Sequence, residues 1–188
     1  MELGYKPPFF EEWQRKHDVY PFECWTDDGY DPSRSNVARD LQLLAGMDCG
    51  KSDIDNGGFH QFFYNGTGVL APEMVEWCER SGLDDVADVI RQAMSTLTDG
   101  DYPRSREDRL TALARFTVGG DRKHCDLFYQ EHCDPFDQLD EKFFALLSNN
   151  GTRYHDAANR WLCETCGITE LADPPKAEPS DGRGAAEP

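Results

Sequence analysis

The sequence predicts an all-α fold: a compact multi-helix single domain with an irregular N-terminal segment and a disordered C-terminal tail. Three observations carry this. Apolar residues recur at helical spacing through most of the chain, and no pair of alternating runs marks a strand ladder. Residues that start and stop helices bracket those stretches. A chain of 188 residues, 38% hydrophobic and 12% aromatic, is also long enough to bury a core without disulfides or metals.

The elements follow in order. Phe9 to His17 reads as a short helix within an otherwise irregular segment of residues 1–35, and Asp27 to Ser35 is rich in turn formers. Ser35 is placed as an N-cap, with Val37, Leu41 and Leu44 on one helical face and Gly50 as the expected end. Asn56, Gly57 and Gly58 predict a tight turn, because glycine takes positive φ without a Cβ clash. Phe59, Phe62 and Phe63 then share one face of a helical turn. Pro72 suits the first turn of a helix that stops at Gly82. Leu83 to Leu97 is the clearest amphipathic helix, with Val86, Val89, Ile90, Ala93, Met94 and Leu97 as its stripe. Ser105 and Asp108 form a capping-box variant before Leu110, Leu113 and Ala114, closed by Gly119-Gly120. Pro135 opens a helix whose buried face is Leu139, Phe143, Leu146 and Leu147, and a last helix runs from about Tyr154 to Cys166.

The expected organisation is residues 1–35 as an extension packed on the domain, 36–171 as the helical domain and 172–188 as a tail with nothing to bury. The net charge of −17 comes from 36 acids against 19 bases. The tail carries four acids and two bases, so −15 of the −17 lies before it. That balance argues against direct binding of nucleic acid or an anionic membrane and favours a basic partner or plain solubility. The first ten residues hold two prolines and no apolar run, which predicts no secretory signal. Seven cysteines, an odd number, fit reduced thiols and a cytoplasmic protein.

Few constellations suggest chemistry. Cys163 and Cys166 form a C-x-x-C, with Cys125 and Cys133 as conceivable partners in a zinc site, but the spacing is loose and a second C-x-x-C is missing. Asp53-x-Asp55 begins like a calcium loop, yet Gly57 and Tyr64 stand where ligands are needed. His60 near Asp55 has no nucleophile beside it. No cofactor and no enzyme activity are expected. The acids, by contrast, recur at helical spacing. Glu73, Glu76 and Glu79 fall on one helix and Asp84, Asp85 and Asp88 on the next. Carboxylates in rows can imitate part of the phosphate spacing of duplex DNA; the plain alternative is a solvated face.

The run Asp55-Asn56-Gly57-Gly58-Phe59-His60-Gln61-Phe62-Phe63-Tyr64-Asn65, followed by Gly68, Ala71-Pro72 and the helix through Ala93, resembles the bacterial domain family that contains the DNA-mimic protein numbered nineteen. Phe136 to Phe144 resembles that family's second block. The resemblance covers roughly residues 36–165. It implies an all-α fold, a dimer and an acidic binding protein, a DNA mimic that occupies the DNA-binding face of a basic protein or transcription factor. The motif residues Asn56, Gly57, Gly58, Phe59, Phe62 and Phe63 are expected to be structural, with mimicry left to surface acids. Two alternatives stand beside this: a structural or immunity-type interaction module whose acidity is incidental, and a zinc or redox protein using the C-x-x-C.

Overall fold

The computed structural model describes residues 9–17, 22–26, 29–116, 134–148 and 152–169, and these form an all-α architecture. The helices are α1 (Phe9–His17), α2 (Arg39–Tyr64), α3 (Ala71–Arg80), α4 (Asp84–Leu97), α5 (Arg106–Leu113), α6 (Asp137–Phe143) and α7 (Arg153–Arg160). Helix α6 runs on into a π-helical turn, Phe144–Ser148, and α7 into another, Trp161–Thr165. A two-stranded ladder, β1 (Trp25–Thr26) with β2 (Gly29–Tyr30), pairs Trp25 with Tyr30. No strand pair was expected there; the ladder is too short to show an alternating pattern.

Helix α2 is the axis around which the others pack. Its apolar residues point to several sides at once, so Leu43, Leu44, Met47, Ile54, Phe59, Phe62 and Phe63 are all fully buried. Two expectations about it need correction. Its N-cap is Ala38 rather than Ser35, whose hydroxyl accepts the Val37 N–H at 3.2 Å in the preceding turn. Gly50 does not end it either. A side chain there would collide with Met74 Sδ, so the glycine lets α3 lie close against α2. The Asn56-Gly57-Gly58 turn is present as a break inside the helix. Gly58 has φ 70° and ψ −174°, a conformation that only glycine adopts readily.

The later helices match their start signals. Pro72 lies in the first turn of α3, and Gly82 at φ 74° ends the α3–α4 turn. Ser105 caps α5 by accepting the Asp108 N–H at 3.4 Å. Helix α5 stops at Leu113 and tightens into a 3-10 turn, Ala114–Phe116, while the expected Gly119-Gly120 stop, Cys125, Cys133 and the 172–188 tail lie outside the described residues. The N-terminal segments lie on the helical body. Phe10 is fully buried, meets the Tyr154 ring edge-on at 5.4 Å, and donates its N–H to Asn159 Oδ1 at 3.0 Å. Tyr30 donates to Gln42 Oε1 at 2.6 Å, and Gln42 donates to the Pro32 and Val37 carbonyls. Among the described residues, no helix is long and apolar enough to cross a membrane.

The three motif phenylalanines share one core. Phe63 stands 5.9 Å from Phe59, 5.3 Å from Phe62 and 5.4 Å from Phe136 between ring centroids. Phe62→Ala is therefore expected to cost about 3–5 kcal/mol, read as the shift in urea-denaturation midpoint at unchanged slope. A loss under about 1 kcal/mol would mean that the ring is not core.

Candidate functional site

The two sequence blocks meet in space. After the break at Gly58, the short helical segment Phe59–Tyr64 begins with an N–H that has no partner within its own turn. Asp140 of α6 supplies it, accepting the Phe59 N–H at 2.7 Å. Its carboxylate packs directly over Gly58, where a Cβ would overlap it. Burial pushes Asp140 up to about 6; the Phe59 N–H opposes this, and the Asp134 and Asp137 carboxylates add to it. His60 beside it is held below its ordinary value by burial, against the pull of Asp134.

At the far end of the same segment stands Arg109, fully buried. It donates to the Phe63 carbonyl at 3.2 Å, the Asn65 carbonyl at 3.1 Å and the Arg104 carbonyl at 2.5 Å. Gly68 has no side chain because that position faces Arg109 Nε and the Phe62 carbonyl. The motif glycines thus shape the break and its phenylalanines fill the core. Sequence reading missed Asp140 as a cap, although the second block contains it. It missed Arg109 too, since a charged residue inside a polar helix gives no sign of being buried.

The acid rows are arranged differently from the expectation in one respect. Glu73 is buried, only 4% exposed, and cannot face a partner. It binds Arg104 in a fork, at 2.5 and 3.1 Å, with Arg39 at 3.6 Å. The helical spacing does place it near Glu76, but α3 turns that side partly inward, towards the chain before α5. The other acids lie on the outer faces of α3 and α4. Glu76 pairs with Arg39 at 2.7 Å and with Arg80 at 3.4 Å. Arg91 joins Glu79 of α3 to Asp88 of α4. Asp85 takes a fork from Arg153 of α7, at 2.6 and 2.9 Å, which draws its pKa down. Asp84 is exposed and forms no ion pair among the described residues.

A cleft of about 780 Å³ opens between α4 and α6. Asp88, Arg91 and Ser95 line one wall, with Asp134, Asp137 and Gln138 on the other. Asp53 holds the Thr67 hydroxyl, and Asp55 holds Lys51 and Ser148, each at 2.5 Å. Among the described residues, no group of three metal-ligating side chains converges. Cys163 and Cys166 lie on the last π-helical turn and just after it, and burial pushes the Cys166 thiol up to about 11, opposite to what an attacking thiolate needs.

A family model described as DMP19-like protein matches residues 35–165. The chain belongs to the DMP19-like family. A search of curated proteins and a search of solved structures each return no match. The DMP19-like family is not a known enzyme family. In this DMP19-like chain the matched region begins just before α2 and ends within the last π-helical turn, so it spans both ends of the Phe59–Tyr64 segment.

Two outcomes follow. Glu73→Gln should cost about 1–3 kcal/mol, because it leaves Arg104 without its charge partner, whereas Glu79→Gln should stay within about 0.5 kcal/mol; urea denaturation of both variants checks the contrast. Asp140 has a folded pKa above its unfolded value, so the fold binds its proton more readily. Its contribution to stability is fully present below about pH 3.8 and is lost as pH rises through about 6. Asp140→Asn keeps an acceptor for the Phe59 N–H without the charge. Melting temperatures from pH 4 to 7.5 should therefore show the wild type losing ground to the variant as pH rises; parallel curves would rule this out.

Proposed function

We propose that this protein is an acidic binding protein that acts as a DNA mimic, occupying the DNA-binding face of a basic DNA-binding protein in the cytoplasm, with a homodimer as its working form. The observation that carries the reading is the outer face of α3 and α4, where Glu76, Glu79, Asp84, Asp85 and Asp88 stand on two adjacent helices of a chain with net charge −17. Family membership supports it. Residues three or four apart on one helix face have Cβ atoms about 5–6 Å apart, so their carboxylates form rows that can imitate part of a phosphate array. Complementary fields of this kind speed association and select partners more than they set affinity.

A second reading has its own support. Glu76, Glu79, Asp85 and Asp88 already hold arginines of the same chain, so the face is less negative than its acid count suggests. On that reading the protein is an interaction module whose partner need not bind DNA.

The test is capture from lysate of the native cell with the immobilised full chain, followed by elution with duplex DNA and, separately, with salt. The DNA-mimic reading expects a DNA-binding protein that duplex DNA displaces and that dissociates as salt rises. Combined Glu79→Gln, Asp84→Asn and Asp88→Asn should weaken capture without unfolding the chain. A partner that binds this protein and its DNA together would favour the interaction module instead.

A further inference from the structure

The peptide group between Asn65 and Gly66 is polarised from one side. Asn65 is the residue at which α2 ends, with extended backbone (φ −77°, ψ 165°), and Gly66 opens the 3-10 turn Gly66–Leu70. The Gly66 N–H, first in that turn, has no acceptor within it. The carbonyl of the same peptide group is well supplied with donors. Arg109 Nη2 donates to the Asn65 oxygen at 3.1 Å, and the Gly68 N–H donates to it at 3.2 Å. Arg106 Nε takes the preceding carbonyl, that of Tyr64, at 3.0 Å. The Asn65 side-chain amide meanwhile forms no hydrogen bond among the described residues.

A carbonyl oxygen that accepts from a guanidinium draws electrons out of its own amide nitrogen. The N–H of that peptide group then gives up its proton more readily, and the nearby positive charge favours the anion that results. Here the N–H is that of Gly66. Gly66 is exposed, and a Cβ built there meets nothing within 4 Å, so water reaches the residue and no side chain hinders its nitrogen. Covalent connectivity places Asn65 Cγ where attack by that nitrogen closes a succinimide ring. The other Asn-Gly pair among the described residues, Asn56-Gly57, is placed differently. Asn56 keeps helical backbone within α2, which directs the Gly57 N–H into the helix ladder. The Gln61 side chain also lies where a Gly57 Cβ would be, and so covers that glycine.

We propose that Asn65-Gly66 is a self-modification site, at which the chain converts Asn65 to isoaspartate through a succinimide, with Arg109 as the activating group. The Gly66 N–H loses its proton to hydroxide, and the nitrogen attacks Asn65 Cγ. The new N–Cγ bond forms as the Cγ–Nδ2 bond breaks, and Nδ2 takes a proton from water and leaves as ammonia. Water then opens the ring. Attack at the main-chain carbonyl, the one that Arg109 polarises, breaks its bond to the Gly66 nitrogen. That frees an α-carboxylate beside the guanidinium, a charge-assisted pair, and leaves the chain running through Cβ and Cγ. Attack at Cγ gives aspartate instead. The sum is one water taken up and one ammonia released, with no oxidant or reductant. Either product adds a negative charge at the C-terminal end of the Phe59–Tyr64 segment.

The experiment is incubation of the full chain at mildly alkaline pH, folded and in guanidinium chloride. Peptide mapping by mass spectrometry reads the amide-to-acid mass gain at each asparagine, and enzymatic methyl labelling reads isoaspartate. In the folded chain Asn65 should convert several-fold faster than Asn56, and in denaturant the two rates should converge. The isoaspartate share at residue 65 should be higher folded than denatured, because only the folded chain holds Arg109 on the main-chain carbonyl. Gly66→Ala, at a position with open space and no positive φ, should slow conversion of Asn65 several-fold and leave Asn56 unchanged. Arg109→Lys should slow conversion of Asn65 and lower its isoaspartate share towards the denatured value. Far-UV circular dichroism checks each variant, and if Arg109→Lys does not fold, the isoaspartate share of the folded wild type decides the role of Arg109. A folded rate at Asn65 no higher than at Asn56 would overturn the site. Equal isoaspartate shares folded and denatured, or a folded Arg109→Lys with wild-type rate and share, would overturn the activation by Arg109.

Discussion

The fold depends on a short helical segment, Phe59–Tyr64, gripped at its two ends by hydrogen bonds with side chains of two other helices. A helix end leaves orphan N–H groups at its start and orphan carbonyls at its finish, with partial positive and negative charge to match. Here Asp140 answers the first and Arg109 the second. Neither group is part of α2. One comes from α6 and the other from α5, so closing this segment requires three helices to be in place together. The aromatic rings it carries then meet Phe136, Phe143 and Tyr102 at centroid distances of 5.4, 5.5 and 5.8 Å. Hydrogen bonds fix the segment's position, and the rings supply the burial.

Glu73 extends the same logic towards the surface. Its carboxylate binds Arg104, whose guanidinium also donates to the Val69 carbonyl at 2.8 Å, and reaches Arg39, which stacks over Tyr30 and donates to its hydroxyl at 2.9 Å. One acid therefore ties α3 to the chain before α5, to the start of α2 and to the N-terminal ladder. Removing one partner of such a set leaves a charge short of its counter-ion, which costs more than the pair contributes when whole. The acids farther along α3 and α4 carry no such duty. They lie closer to water, and those paired to arginines gain a few tenths of a kcal/mol per pair. Buried and exposed positions are thus divided between acids on the same helix.

Much of this was legible in the sequence, and the reasons for the rest are physical. The helices with strong stripes, such as α4, and those with a proline or serine at the start, such as α3 and α5, read correctly because the signal is local. The glycines at 57 and 58 read correctly as a break, since φ and Cβ sterics are properties of the residue itself. Gly50 misled because the same residue serves a different purpose: it admits Met74 in the middle of a helix, and only the partner helix reveals that. The burial of Glu73 and Arg109 was illegible for the same reason. A charged residue goes inside only when distant groups satisfy it, and those groups lie about thirty to forty-five positions away in the chain. The outward acids were legible as a row; the cleft beside them was not, because it is made by two helices far apart in sequence.

Phe10 has a consequence for where this protein can be cut. The unit shared with relatives begins at residue 35, yet the unit that closes the interior begins earlier. Phe10 is fully buried against Tyr154, Trp13 belongs to the same cluster, and Gln42 takes its contacts from Tyr30 and Pro32. A fragment trimmed to the inherited boundaries would bare the edge of the Tyr154 ring and leave Asn159 and Gln42 without these partners. Inheritance and self-sufficiency thus draw different borders on the same chain, and a grafted or minimised version has to respect the second.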